Sequence, residues 1–69
     1  MAIGERIRWF RKRHNLTQKE LGIKIGLNKL TAETRIGQYE TGQRKPKPDM
    51  INDMAEALGV SSEAIAVPD

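Results

Sequence analysis

The sequence of 69 residues contains no cysteine and only one histidine, His14. These absences exclude a disulfide framework, a Cys/His zinc site and a cysteine or histidine nucleophile. No other group of residues suggests a nucleophile with its base. We therefore expect a protein that is not an enzyme, with no catalytic residue, no metal site and no cofactor.

Long apolar runs are missing as well. The longest one covers residues 64–67, whereas a helix that spans a membrane needs about 20 apolar residues. The first residues include several arginines and no apolar stretch, so the pattern does not indicate a signal peptide. The sequence therefore predicts a cytoplasmic protein.

Basic residues are absent from the last third of the chain. Residues 49–69 contain five acidic residues and no lysine or arginine, which gives this segment a net charge of −5. All 12 basic residues lie in residues 1–48 beside four acidic ones, which gives a net charge of +8. We expect a molecule with one basic end suited to a polyanion, although the same asymmetry also fits a solvated surface without a partner.

Glycine, proline and asparagine divide the chain into five short segments with helical periodicity, and no segment reads as a strand. Thr17 and Glu20 have the spacing of a capping box at the start of the second segment. Pro48 suits the first turn of the fourth, where its missing N–H is not needed. The sequence therefore predicts an all-α fold with residues 1–69 in one domain. The helices are expected at about 3–14 and 18–25, in a segment ending at 39–40, at 48–58, and in a last segment ending at 65.

Two residues do not fit this simple pattern. Gly22 lies inside the second helix, where glycine costs about 1 kcal/mol relative to alanine, so we expect another stretch of backbone to pass close to it, with simple tolerance of the glycine as the alternative. Trp9 lies about 120° away from the apolar stripe of the first helix. We expect it to pack on the last helix and the tail through Ile65 or Val67, with a partner-binding patch as the alternative.

Several short motifs occur in an order that resembles the Xre/Cro/phage-repressor family of helix-turn-helix proteins. They are IGERIR at 3–8, LTQKEL at 16–21, IGQYETG at 36–42, RKP at 44–46 and AEALGVS at 55–61. The resemblance covers nearly the whole chain and implies a lambda-repressor-like domain of five short helices. It also implies a repressor that binds a palindromic operator in double-stranded DNA as a homodimer, and an ion pair between Arg11 and Glu40.

One feature departs from the family pattern. About four extra residues, around 28–31, lie between Gly26 and Tyr39. Thr31 can cap a third helix of ordinary length, and Asn28 can cap one with an extra turn, because both residue types are good N-caps. The register of the third helix on DNA depends on which of the two is used.

The third helix carries the candidate base-reading residues. With Ile36 in the core, a step of 100° per residue turns Thr34 and Gln38 to the opposite side of the helix. Glutamine can pair with adenine through two hydrogen bonds, and threonine offers a hydroxyl and a methyl group to base edges. Arg35 and Glu33 flank this face, and Arg35 can contact a guanine or a phosphate. The alternative is an ordinary solvated helix surface.

Other polar residues are candidates for contacts with the DNA backbone. Gln18 and Thr17 lie at the start of the second helix, where backbone N–H groups and the helix dipole favour a phosphate. Arg44, Lys45 and Lys47 follow the third helix in a loop, a suitable place for contacts that add affinity without reading sequence.

The homodimer is expected to be weak or induced by DNA. We expect it to form through the fifth helix and the loop before it, with Val60, Ile65 or Val67, because the basic half must stay free for DNA. The protein would be encoded by a bacterium or a phage and associate with the nucleoid when bound. A second hypothesis is an antitoxin-like or accessory module with the same fold that works through a protein partner.

Overall fold

The computed structural model describes residues 2–66, in which five helices and no strands are found. The helices are α1 (Ile3–Arg13), α2 (Gln18–Lys24), α3 (Ala32–Thr41), α4 (Pro48–Leu58) and α5 (Ser62–Ile65). This architecture confirms the predicted all-α, five-helix fold. None of the described helices is long and apolar enough to cross a membrane.

The helix ends follow the local signals in the sequence. Thr17 and Glu20 form the capping box of α2: Thr17 Oγ1 accepts the Glu20 N–H at 3.0 Å, and Glu20 Oε1 accepts the Thr17 N–H at 2.9 Å. Pro48 is the first residue of α4, and Gly59 ends that helix with a left-handed φ of 67°. Such a φ suits glycine because it has no Cβ.

Each helix contributes at least one fully buried side chain to a single core. The largest of these side chains are Ile7, Leu21, Ile36, Met54, Leu58 and Ile65. Helices as short as these are unstable in water by themselves, so the shared core provides most of their stability. Burial of each such side chain contributes about 1.5–3 kcal/mol.

Two glycines allow α3 to lie very close to its neighbours. A Cβ atom at Gly22 of α2 would lie 2.6 Å from the Cβ of Ala32 and 3.0 Å from its backbone, which confirms the predicted close approach of another backbone, here that of α3. A Cβ at Gly4 of α1 would collide with the backbone carbonyls of Tyr39 and Glu40, and this contact was not expected from the sequence. Helix α3 is therefore packed between α1 and α2.

The extra residues lengthen the turn between α2 and α3 instead of extending α3. Asn28 does not cap a longer helix; its Oδ1 accepts the Leu30 N–H at 2.8 Å within the turn. Thr31 directly precedes Ala32, but its hydroxyl makes no capping bond and donates instead to the Asn28 carbonyl at 3.3 Å. The alternative with an additional helical turn is therefore wrong.

Two expectations about apolar side chains are corrected by the structure. Trp9 is not buried on the last helix: 45% of it is exposed, and its ring lies edge-on to Phe10 at 5.0 Å, with the Arg13 guanidinium carbon 4.6 Å from the ring centroid. Ile65 is fully buried because the four-residue α5 has no other large side chain to attach it to the core, so Ile65 is not available for a dimer contact. Val60 is half-buried, and Val67 lies outside the described residues.

Candidate nucleic-acid interface

The outer face of α3 is determined by the residues on its inner face. Ala32, Ile36 and Tyr39 are buried against the core. Thr34, on the opposite side, is exposed, and Gln38 is half-buried. The predicted orientation of α3 therefore agrees with the burial of these residues, although Gln38 is less accessible than Thr34.

A buried ion pair fixes the end of α3 to α1. Arg11 Nε donates to Glu40 Oε2 at 2.6 Å, and Arg11 Nη2 donates to Glu40 Oε1 at 3.1 Å, so the guanidinium binds the carboxylate through two hydrogen bonds. Only 10% of the Arg11 side chain and 3% of the Glu40 side chain are exposed. Arg11 Nη1 also donates to the Leu16 carbonyl at 2.8 Å. The ion pair implied by the family resemblance is thus present in the structure.

Gln18 extends this network to α2. Its Nε2 donates to Glu40 Oε1 at 3.1 Å, and a Cβ at Gly37 would lie 3.5 Å from the same nitrogen. The side chain of Gln18 therefore lies between the start of α2 and the middle of α3. Helices α1, α2 and α3 are joined through one carboxylate, which orients the outer face of α3.

The start of α2 carries its own negative charge. Two interactions with Thr17 lower the pKa of the Glu20 carboxyl below its ordinary value: first the hydrogen bond that the carboxylate accepts from the Thr17 backbone N–H, and then its hydrogen bond with the Thr17 side chain. Glu20 is therefore ionised at neutral pH, and its carboxylate already accepts the hydrogen bond from the Thr17 backbone N–H.

Four predicted site residues surround one cleft. The cleft measures about 460 Å³ and is lined by Arg35, Tyr39, Arg44, Lys45, Lys47 and Met50. Its lining contains four cationic side chains and no acidic one, so an anionic group such as a phosphate is the ligand its charge favours. A second cleft, between the end of α2 and α4, combines Lys24 with Asp53 and Glu56 and lacks this excess of positive charge.

The loop that carries these cations is held near α3. The Arg44 N–H donates to the Gln38 carbonyl at 3.1 Å, and Pro46 is buried while its neighbours Lys45 and Lys47 are exposed. Arg35 is half-buried beside them and Glu33 is exposed on α3. The structure thus brings Arg35 together with the loop cations, whereas Thr17 and Gln18 lie at the start of α2.

One exposed residue near this surface was not proposed as a site from the sequence. Leu30, in the turn before α3, is 85% exposed and is the most exposed large hydrophobic residue of the described chain. The sequence offered one signal, which is a leucine within the extra residues where no helical stripe requires it. Within residues 2–66 no three His, Asp or Glu side chains are placed to hold a metal ion.

Two successive helices, α2 and α3, with α3 held in place and its outer face open, define a helix-turn-helix protein of the DNA-binding class. The helix-turn-helix family model HTH_3 matches residues 7–65, and the chain belongs to this Xre/Cro-type family.

Two relatives from Bacillus subtilis strain 168 are similar to this chain. The HTH-type transcriptional regulator YazB is 36% identical in an alignment of 70 positions that covers 96% of this chain and 90% of YazB. The HTH-type transcriptional regulator YobD is 36% identical over 61 residues, which cover 88% of this chain and 51% of YobD. The chain therefore matches nearly the full length of one relative and about half of the other.

Proposed function

We propose that this chain is a transcriptional regulator that binds a specific sequence in double-stranded DNA, and that it acts as a repressor. The observation that carries the proposal is the outward face of α3, held by the buried Arg11–Glu40 pair and bordered by the basic cleft. Membership of the helix-turn-helix family and the names of the two relatives support regulation of transcription. Such a role requires contact with bacterial or phage DNA in the cytoplasm.

Base reading is assigned to the outer face of α3. A recognition helix lies in the major groove and contacts base edges through its N-terminal residues. Thr34 and Gln38 are suited to these contacts because their side chains donate to and accept from bases. Glu33, which is exposed nearby, can accept from the amino group of a cytosine.

Contacts with the DNA backbone are assigned to the basic cleft. Arg44, Lys45 and Lys47 contribute positive charge without reading sequence. Arg35 lines the same cleft, which favours a phosphate over a guanine as its partner. Gln18 and Thr17 are proposed as further phosphate contacts at the start of α2, with Gln18 at the same time bonded to Glu40.

A homodimer on a palindromic operator is the proposed binding form. Two recognition helices of a dimer are placed about 34 Å apart, one turn of DNA, and this chain measures 33 × 24 × 20 Å, so one copy fits each half-site. The interface is expected to bury less than about 1,200 Å², as in transient complexes, because the core already uses Ile65. Repression follows where such an operator overlaps the binding site of the polymerase.

The test begins with selection of bound oligonucleotides from a random duplex library. Affinity for the selected operator and for random duplex is then measured by fluorescence anisotropy at several salt concentrations. Thr34→Ala and Gln38→Ala are expected to weaken operator binding by about 1–3 kcal/mol each and random binding much less. Arg44→Ala and Lys45→Ala are expected to weaken both alike and to lower the salt slope by about one unit each.

Lys24→Ala is the matched control, since it removes one positive charge from the cleft that also contains Asp53 and Glu56. It is expected to change the salt slope less than Arg44→Ala does. The proposal fails if no sequence is enriched, or if the α3 variants leave the ratio of specific to random affinity unchanged.

A second candidate is a protein-interaction module of the antitoxin-like or accessory kind. The partly exposed ring of Trp9, which lies outside the core stripe of α1, is the observation that favours it. Salt-dependent duplex binding by the isolated chain separates the two functions, because the module would require its partner.

A further inference from the structure

The turn between α2 and α3, directly before the helix assigned to base reading, exposes a large apolar side chain. Leu30 is 85% exposed, whereas Trp9 and Ile23, the other exposed large hydrophobic residues of the described chain, are 45% and 47% exposed. Exposure of a leucine to water is unfavourable and contributes nothing to the core. Isolated exposed leucines are common on protein surfaces, so it is the position of this one, directly before the helix assigned to base reading, that points to a ligand.

The backbone around Leu30 is ordered by hydrogen bonds although its side chain is free. Its N–H donates to Asn28 Oδ1 at 2.8 Å, and the next N–H, that of Thr31, donates to the Asn28 carbonyl at 3.0 Å. The Thr31 carbonyl in turn accepts the Arg35 N–H at 2.9 Å and joins this turn to α3. Leu30 is thus presented from a fixed position, four residues before Thr34.

We propose that Leu30 reads a thymine in the major groove by packing on its 5-methyl group. This inference rests on the proposed function and extends base reading from α3 into the turn before it. Residues at the N-terminal end of a recognition helix are the ones that approach base edges, and Leu30 directly precedes that end. The thymine methyl is the apolar group that bases display in the major groove, and leucine can distinguish it from the bare edge of cytosine.

The surroundings favour DNA over a protein partner for this side chain. Lys29, the preceding residue, is exposed and suits a neighbouring phosphate. Thr34 and Gln38 on α3 are polar. A single leucine among such residues is small for the core of a protein interface, which needs a contiguous apolar patch.

The test replaces thymines of the selected operator one at a time with deoxyuridine. This change removes only the methyl group and keeps every hydrogen bond of the base pair. For the wild-type protein, replacement of one particular thymine in each half-site is expected to lower the affinity about fourfold, which is equivalent to one buried methyl group at about 0.8 kcal/mol. The Leu30→Ala variant is expected to bind the thymine operator at least about fourfold more weakly than the wild type. Its affinity is expected not to change when deoxyuridine replaces this thymine.

Ile23→Ala is the matched control, because it shortens another exposed aliphatic side chain. It is expected to keep the full response to deoxyuridine. Circular dichroism and thermal melting of Leu30→Ala are expected to match those of the wild type, since so little of the side chain is buried.

The outcomes separate this inference from the function on which it rests. Failure to select any sequence would overturn the proposed function, and the role of Leu30 with it. In another outcome, specific binding is found while the loss of binding free energy caused by Leu30→Ala simply adds to the loss caused by every deoxyuridine substitution. Leucine and the thymine methyl groups would then not interact, so the function stands and the role of Leu30 is refuted. The role of Leu30 is also refuted if Leu30→Ala changes the sedimentation of the protein in the absence of DNA and leaves the loss of affinity on deoxyuridine substitution unchanged. The side chain would then contact a second copy of the protein and not a thymine.

Discussion

Removal of the Arg11 guanidinium is expected to destabilise the protein severely. In Arg11→Met the alkyl chain is largely kept, but the Glu40 carboxylate, with 3% of its side chain exposed, loses two hydrogen bonds and its counter-ion. The Leu16 carbonyl loses its donor as well. Breaking a buried pair in this way costs about 3–5 kcal/mol. A chain of this length has a total stability of roughly 3–10 kcal/mol, so the variant would retain little of it.

Thermal melting and urea unfolding followed by circular dichroism measure this effect. A loss of about 3 kcal/mol lowers the melting temperature by at least about 12 °C in a domain of this size. Arg8→Met is the control on the same helix, where the arginine is exposed, and it is expected to change stability by less than about 0.5 kcal/mol.

The double variant Arg11→Met/Glu40→Leu distinguishes loss of the charge pair from loss of packing. It is expected to be more stable than Arg11→Met alone, because no uncompensated charge is then buried. The reasoning about burial is refuted if Arg11→Met lowers the free energy of unfolding by less than about 1 kcal/mol, as loss of an exposed ion pair would. It is also refuted if the double variant loses as much stability as Arg11→Met and Glu40→Leu lose together when measured singly.

Three further results are expected. Gly22→Ala should destabilise the protein in urea unfolding, because its Cβ would lie 2.6 Å from that of Ala32, whereas Gly37→Ala, with ordinary contacts at 3.5 Å, should not. The stability advantage of wild type over Glu20→Gln should be present above the ordinary pKa of the carboxyl and disappear as the pH falls through its lowered folded value; a pH-independent difference in melting temperature would contradict this. Trp9 fluorescence should be quenched readily by acrylamide in the folded protein, and strong protection would show that a partner or second copy covers the ring.

The sequence was sufficient for the features that depend on local chemistry. The capping box at Thr17 and Glu20, Pro48 at the start of α4 and Gly59 at its end are all present, and the predicted ends of α1 and α2 differ from the observed ones by one residue. The inner face of α3 was predicted correctly because one core position, Ile36, determines the others through the helical period.

Features that depend on tertiary packing were not predictable in the same way. Asn28 and Thr31 are both acceptable caps, so local chemistry alone does not decide which of them precedes α3, and the structure begins the helix after Thr31 although asparagine is the better cap. The expectation that the last helix buries Trp9 was wrong, since 45% of the residue is exposed; the helical period places Trp9 off the core stripe of α1 but does not show what covers it. Ile65 was expected at a dimer surface, but its role in attaching α5 becomes clear only from the packed structure. The contacts with DNA stay predictions.

The two glycine contacts separate the residues that hold α3 from those that point away from the protein. The inner side of α3 packs directly on Gly4 and Gly22, so the position of α3 depends on residues that are buried within the protein. Exposed Glu33 and Thr34 contribute little to that packing. Their side chains can therefore be exchanged while the helix keeps its place. A chain built this way can acquire a new target sequence through a few substitutions, and a designed library confined to these exposed positions should yield folded proteins at high frequency.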